Sequence, residues 1–336
     1  MPTVIAGTGH YVPERVVTNE ELAPLLGTTA DWIEERTGIR ERRYLGARES
    51  ASTMGEHAAR AALENAGCSS QSIDAIIFAT LSPDVTFPGS GVFLQRKLGL
   101  APIPALDVRN QCSGFLYALS VANAWLATHT YERVLVVGSE AHSPGLDLSP
   151  EGRSVSLLFG DGAGAAVLEW RDDGDAGVIE VSLGADGKGA EALWCEAPGS
   201  TSRPHISSDD LEDGRHFPHM KGRTVFRDAV RTLEREITAL FDRHGVGEHD
   251  AATALDDILL VPHQANRRIN EMVAKNLGLR DDQVVHTIDQ FGNTTAASLP
   301  MALDIARRDG RARSGQMVAM AAFGSGYTWG TALLRL

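Results

Sequence analysis

Asn110-Gln111-Cys112-Ser113-Gly114-Phe115-Leu116 is the stretch on which the fold turns, because far downstream Phe291-Gly292-Asn293-Thr294-Thr295-Ala296-Ala297-Ser298 stands in the same surroundings. Each follows a short apolar strand and opens a helix. Working outward from the first, the pattern predicts a helix over 53–66, a strand over 75–80, a short strand ending at Asp107, and a strand over 134–137 after the Cys112 helix. Working outward from the second, it predicts a helix over 224–243, strands over 258–261 and 284–287, a helix over 294–306 and a strand over 317–322. The strands are short apolar runs, and the helices carry apolar residues at helical spacing. A similar number of residues separates Asp74 from Cys112 and Asp257 from Asn293, which puts Cys112 and Asn293 at corresponding positions. The expected class is α/β: two duplicated halves, 1–170 with Cys112 and 171–336 with His263 and Asn293, layered α-β-α-β-α. Strand–helix alternation is common, and any two α/β halves share some of this likeness.

Composition bounds the function. With 336 residues, 43% hydrophobic and 22% charged, the chain can bury a large core. A formal net charge of −13 argues against general nucleic-acid binding, which needs a basic face. The opening Met1-Pro2-Thr3-Val4-Ile5-Ala6-Gly7 reads as a strand, and no apolar run approaches a membrane span, so a cytoplasmic protein is expected. Cys68, Cys112 and Cys195 are an odd set without metal-type spacing, so neither a disulfide framework nor a metal site is expected.

Chemistry centres on Cys112. A thiolate is a strong nucleophile and a good leaving group, suited to carrying an acyl group as a thioester. A helix N-terminus favours the thiolate, and Cys112 stands at one. The bland alternative, a buried inert cysteine, fits Cys68 and Cys195 better. His263, in Val261-Pro262-His263-Gln264-Ala265-Asn266, and Asn293 both offer N–H donors. Aimed at one carbonyl oxygen, they would stabilise the enolate formed when a malonyl thioester loses carbon dioxide. Alone, His263 reads equally as a structural histidine, and Asn293 as a turn or cap residue. The run Phe159-Gly160-Asp161-Gly162-Ala163-Gly164-Ala165 leads into a strand and reads as a tight turn where backbone approaches closely, not as a phosphate loop. Residues 198–218 read as a long loop, with His205, His216 and His219 solvated.

At these residues the chain resembles the ketoacyl synthase III family of thiolase-fold condensing enzymes. The resemblance runs from Asp31-Trp32-Ile33-Glu34-Glu35-Arg36-Thr37-Gly38-Ile39 through Cys112-Ser113-Gly114, the glycine-rich run, His263-Gln264-Ala265-Asn266 and Gly292-Asn293 to Gly326-Tyr327-Thr328-Trp329-Gly330. It implies a homodimer, an acyl-CoA primer loaded on Cys112, and decarboxylative condensation with malonyl carried on acyl carrier protein, with no permanently bound cofactor. His263 and Asn293 would promote decarboxylation, and the N–H groups of Cys112 and Ser325 would hold the oxyanion. Trp32 and Arg153 would flank the CoA adenine, with Arg36 and Asn266 near the cofactor. Phe87 would close the partner's acyl pocket, and Arg268 and Arg227 would dock the carrier; Lys275, seven residues beyond Arg268, shares its helix face and extends that basic patch. Each has a bland reading: Trp32 as core, Arg36 as a partner of Asp31 or Glu35, Arg153 and Phe87 as ordinary surface or interface, and Arg268 with Lys275 as a solvated helix face.

Arg109-Asn110-Gln111 stands where many fatty-acid starters have small residues, and Ser325 replaces a common glycine. Gln111-Cys112-Ser113-Gly114, Gly184-Ala185-Asp186-Gly187 and Ala197-Pro198-Gly199-Ser200 resemble a branch that includes alkylquinolone-forming synthases, which leaves secondary metabolism open. A thiolase would need a second cysteine near Gly324-Ser325-Gly326, and an elongating synthase a second histidine in place of Asn293. A non-catalytic subunit would lack Cys112 or His263. An acyltransferase without decarboxylation is the remaining alternative.

Overall fold

The computed structural model describes residues 3–172, 174–247 and 254–336. Two sheets form its frame. The first runs in the order Thr3–Tyr11, Gly162–Trp170, Arg133–Glu140, Ala75–Ala79, Ala105–Val108. The second runs Gly177–Ala185, Thr328–Arg335, Met317–Gly324, Ile258–Pro262. Read in these orders, each sheet begins with two antiparallel pairings and continues with a parallel one. The first adds a second parallel pairing, to Ala105–Val108.

Side-chain alternation along the strands builds the layers. Ala75, Ile77 and Ala79 share one core with Val134 and Val136, with Leu259 and Val261, and with the helices Gly114–Ala127 and Ser298–Arg308. Ile76 and Phe78 face the other way, onto the helices Ala51–Ala66 and Ser90–Lys97. Ile258 and Leu260 likewise face Gly222–Arg243 and Arg267–Asn276. The result is the expected α-β-α-β-α stack, with two helices in its middle layer. Phe115, Leu116, Leu119 and Leu126 on one of them have no exposed surface. Leu116→Ala at such a site costs about 2–5 kcal/mol.

Local chemistry sets the element ends. Ala51–Ala66 starts two residues before the predicted boundary because the Ser50 hydroxyl caps it by accepting from the Thr53 N–H, and Gly67 ends it in the left-handed region at φ 65°. The strand predicted over 284–287 is reduced to a single bridge, Leu260 to Val284. Gln264 takes over the backbone there: its Oε1 accepts from the N–H groups of Thr287 (3.0 Å) and Ile288 (3.2 Å), and its Nε2 donates to Val285 O (3.0 Å). The 198–218 loop holds a short helix, Ser208–Glu212, closed by a capping box between Ser207 and Asp210. Gly160 provides the predicted close approach: a Cβ there would lie 2.2 Å from Phe291 O.

The correspondence between Cys112 and Asn293 is corrected. Before each middle-layer helix stands a single 3₁₀ turn, Gln111–Ser113 in one half and Thr295–Ala297 in the other. Both turns begin on a residue with positive φ, Gln111 at 45° and Thr295 at 48°. Cys112 therefore corresponds to Ala296, and Asn293 lies before the turn.

Candidate active site

Cys112 sits in the middle of its 3₁₀ turn, one residue before the Ser113 cap of helix Gly114–Ala127, and is 5% exposed. Its Sγ takes hydrogen bonds from its own N–H, from the Ser325 N–H and from the Thr295 hydroxyl. Those donors favour a thiolate. Burial and the nearby Glu140 carboxyl outweigh them and push the thiol up to about 12. The lowering expected from the start of the helix is thus opposed by burial and by Glu140.

Strand Met317–Gly324 delivers Ser325 to the sulfur. Gly324 lies directly against Cys112, and a Cβ on it would lie 2.8 Å from Cys112 Cβ and 3.2 Å from Sγ. The Ser325 side chain turns away and donates to the Leu193 carbonyl, which leaves its N–H toward Cys112.

His263 follows strand Ile258–Pro262 and is 3% exposed. Its Nδ1 lies 2.6 Å from Ser298 Oγ. That oxygen also receives the Gln264 N–H at 3.4 Å. With the Ser298 hydroxyl donating to Nδ1, Nε2 carries the ring hydrogen. Nε2 is buried without a partner. Burial, then the neighbouring His142, lowers the imidazole to about 3, so it is neutral near pH 7. Asn293 is 5% exposed, and its Oδ1 accepts from the Thr295 N–H at 2.9 Å. Nδ2 is thereby left as the outward group, with no partner among the described residues. The segment from Asn293 to Ser298 thus touches Cys112 through Thr295 and His263 through Ser298.

Four neighbours escaped the sequence reading. Glu140 ends strand Arg133–Glu140 with no exposed surface. It accepts from Thr80 Oγ1, Leu81 N, Ser82 N, Ser82 Oγ and Ala296 N, yet burial raises it to about 7. His142, two residues on, is partly buried, with Nε2 2.7 Å from Thr295 Oγ1. Thr295 and Ser298 are the other two. The available signal was position: Glu140 and His142 stand at the end of a central strand in the same sheet as the strand preceding Cys112.

A second group lies at the surface. Trp32, Arg36, Asn266 and Arg268 line one cavity of about 560 Å³ with Leu158, whose carbonyl accepts the Asn293 N–H at 2.8 Å. The Trp32 ring has Arg36 Cζ 5.1 Å from its centroid and Arg153 Cζ 5.5 Å from it. Asn266 caps helix Arg267–Asn276 and donates to Arg36 O at 3.0 Å, so its side chain already has structural work. Arg268 is exposed with Cζ 5.9 Å from the Phe226 centroid, Arg227 is paired with Asp228 at 2.9 Å, and Lys275 is exposed in the last turn of its helix. Phe87 is 83% exposed on this chain.

Comparison with known proteins places the chain in a family. Residues 106–187 match the family described as 3-oxoacyl-[acyl-carrier-protein] synthase III, and residues 249–336 match its C-terminal part. The beta-ketoacyl-[acyl-carrier-protein] synthase III of Rhizorhabdus wittichii is 44% identical over 333 residues, covering 99% of this chain and 98% of that one. The crystal structure of the Aquifex aeolicus 3-oxoacyl-[acyl-carrier-protein] synthase III superposes with a TM-score of 0.88 at 35% identity, covering 99% of this chain and 100% of that one. The priming beta-ketosynthase from the R1128 polyketide biosynthetic pathway superposes at 0.87 with 33% identity, covering 99% and 96%. This chain belongs to the 3-oxoacyl-[acyl-carrier-protein] synthase III family of condensing enzymes.

Proposed function

We propose that the enzyme loads an acyl group from acyl-CoA onto Cys112 and condenses it with a malonyl thioester, carried on acyl carrier protein, to start a fatty acid. The Cys112 sulfur attacks the primer carbonyl, and the N–H groups of Cys112 and Ser325 hold the oxygen as it becomes negative. CoA thiol leaves. The malonyl thioester then loses carbon dioxide. Its enolate oxygen sits between His263 Nε2–H and Asn293 Nδ2–H, and its carbon attacks the acyl-Cys112 carbonyl. The 3-ketoacyl thioester departs and Cys112 is regenerated.

The observation that carries this reading is His263: Nδ1 is held by Ser298, and a buried Nε2 has no partner. A buried donor left unmatched costs about 1–3 kcal/mol unless a ligand satisfies it. A neutral imidazole gives the enolate a hydrogen bond and takes no proton from carbon. Acyl-CoA enters past Trp32, Arg36 and Arg153, with Asn266 at the channel wall, and the carrier docks on Arg268, Arg227 and Lys275. The enzyme works as a cytoplasmic homodimer of two-half protomers, 1–170 and 171–336. Support for the dimer is the unpaired outer edge of strand Ala105–Val108 with Leu106 exposed on it, and the exposed Val85 and Phe87. Phe87 then reaches the partner's acyl site.

A second reading, priming of a quinolone- or polyketide-type product, is favoured by the Gln111-Cys112-Ser113-Gly114 run and by the likeness to the R1128 priming enzyme. Intact-mass analysis after exposure to a panel of acyl-CoAs, followed by malonyl carrier protein or malonyl-CoA, separates these. One acyl adduct on Cys112, cleared by malonyl carrier protein with carbon dioxide release, supports fatty-acid initiation. Label on Cys195, or persisting in Cys112→Ala, sinks the proposal.

A further inference from the structure

Arg42, on the strand Glu41–Tyr44, carries a guanidinium with no exposed surface. Burial this deep ordinarily brings a carboxylate partner. Here the acceptors are two carbonyls and an amide. Nη1 donates to Val17 O at 3.3 Å and to Asn19 Oδ1 at 2.9 Å, and Nη2 donates to Leu157 O at 2.9 Å. Leu157 begins the segment that grips the main chain of Asn293. The Leu158 carbonyl accepts the Asn293 N–H at 2.8 Å, and the Gly160 N–H donates to the Asn293 carbonyl at 3.1 Å. We propose that Arg42 is a positioning residue for decarboxylation, which holds the 157–160 segment and through it aims the Asn293 side chain at the enolate oxygen. This rests on the reading of Asn293 as an enolate donor.

Main-chain position decides where Asn293 Nδ2 points. Its Oδ1 accepts from the Thr295 N–H at 2.9 Å, so the side chain is fixed to its own backbone and moves only when that backbone moves. Arg42 reaches this backbone by a second route, through packing. A Cβ on Gly160 would lie 3.0 Å from Arg42 Cβ, and one on Gly292 would lie 3.3 Å from it. Between these glycines, Phe159 and Asn293 pair as a parallel bridge. The guanidinium therefore holds one end of the gripping segment, and the base of the same side chain supports the other. The strand that carries Arg42 is tied on both sides: the Arg40 N–H donates to Asp289 O at 3.0 Å, and the Asp161 N–H donates to Arg43 O at 2.8 Å.

The other arm of the guanidinium extends the connection to the surface cavity. Asn19 donates its Nδ2 to Ile39 O at 2.7 Å, just beyond helix Ala30–Thr37, which carries Trp32 and Arg36. Trp32, Arg36, Leu157 and Leu158 line that cavity together. One side chain thus ties the cavity wall to the bracket around Asn293. Burial lowers its pKa, to about 10, so it keeps its charge and all its donors near pH 7. An apolar residue of the same length would fill the space and leave the Leu157 carbonyl unheld.

The test is single-turnover carbon dioxide release by the full-length protein, first acylated from whichever of acetyl-CoA or octanoyl-CoA loads it, with malonyl carrier protein at saturation. Arg42→Met keeps the stem against the glycines and loses every hydrogen bond. Replacing a buried charge by an apolar side chain of similar volume commonly leaves a protein folded. Arg42→Lys keeps the charge but cannot bridge Asn19 and Leu157, and it serves if the Met variant does not fold. Each should load Cys112 within about twofold of the wild-type rate and release carbon dioxide on the order of tenfold more slowly. The deciding measurement is a cycle with Asn293→Ala. A residue that acts through Asn293 has nothing left to aim there, so Arg42→Met should cost less than about twofold more in that background. A folded Arg42 variant that releases carbon dioxide at the wild-type rate overturns the proposal. So does an equal loss in loading, or the full loss repeated in Asn293→Ala, either of which makes Arg42 a general support of the fold. If Asn293→Ala alone releases carbon dioxide at the wild-type rate, the underlying reading fails instead.

Discussion

Gln111 and Thr295 hold the same left-handed backbone, φ 45° and 48°, each at the first residue of the 3₁₀ turn before its half's middle-layer helix. The pair sets the correspondence between the two turns, and it places Ala296 opposite Cys112. Asn293 reaches the site from outside the turn, by way of its bond to the Thr295 N–H.

Space at the nucleophile gives the first prediction. A methyl group on Gly324 would lie 2.8 Å from Cys112 Cβ and 3.2 Å from Sγ, against atoms fixed in the core. Gly324→Ala should abolish acylation of Cys112, with a stability loss of about 1–3 kcal/mol from overpacking. Intact mass and chemical denaturation read the two separately. A normally acylated variant would show that the turn can retreat.

Roles at the enolate site separate in time. His263→Ala and Asn293→Ala should still form acyl-enzyme and lose carbon dioxide release from malonyl thioester by on the order of 10²–10³-fold. Radiolabelled carbon dioxide release and mass analysis of loading, run on the same preparations, check this. Either variant condensing normally removes that residue from the proposed role.

Burial makes His263 a pH-dependent stabiliser. Its folded pKa of about 3 lies below the usual value of about 6.5, so the unfolded chain takes up the proton first. The stabilisation is complete above that usual value and is lost as pH falls toward about 3. Glu140 runs the other way. Raised to about 7, it contributes stability that is present at low pH and lost as pH rises through that value. Melting temperature against pH should therefore peak on the acid side of neutrality. His263→Ala should flatten the acid limb, and a curve that superposes on the wild type below pH 6 contradicts the assignment.

Charge at the channel mouth distinguishes two donors. Arg268 shares its cavity with Trp32 and Arg36, whereas Lys275 sits two helical turns away on the exposed face. Arg268→Glu should impair use of both malonyl-CoA and malonyl carrier protein. Lys275→Glu should impair the carrier alone, with a loss that shrinks at high salt. Neither changes folding, because exposed charges contribute little. Steady-state rates with each donor, at two salt concentrations, decide it. Equal effects of both substitutions on both donors would merge the two surfaces into one.

Much of the frame was legible because its strands are short apolar runs between helices of clear period. The strand over 284–287 was misread because apolar content does not reveal that Gln264, some twenty residues earlier, takes the backbone bonds a ladder would use. The pairing of Cys112 with Asn293 failed because counting residues cannot register where a positive φ begins a turn. The setting of the thiol was read only in part, for a related reason. A helix start is visible in sequence, while the burial that opposes it comes from Glu140 and the packed core, brought in by other strands. His142 and Thr295 were missed because neither belongs to a motif with its partner, and only folding brings them to 2.7 Å.

The two turns also differ in what their middle amide faces. At Cys112 the N–H points to the reacting sulfur, and at Ala296 it lies 3.4 Å from the Glu140 carboxylate. The same bend thus presents its middle amide twice to an electron-rich group, once to a sulfur and once to a carboxyl whose charge comes and goes as pH crosses about 7. One copy faces Cys112, and the other is filled from within by Glu140.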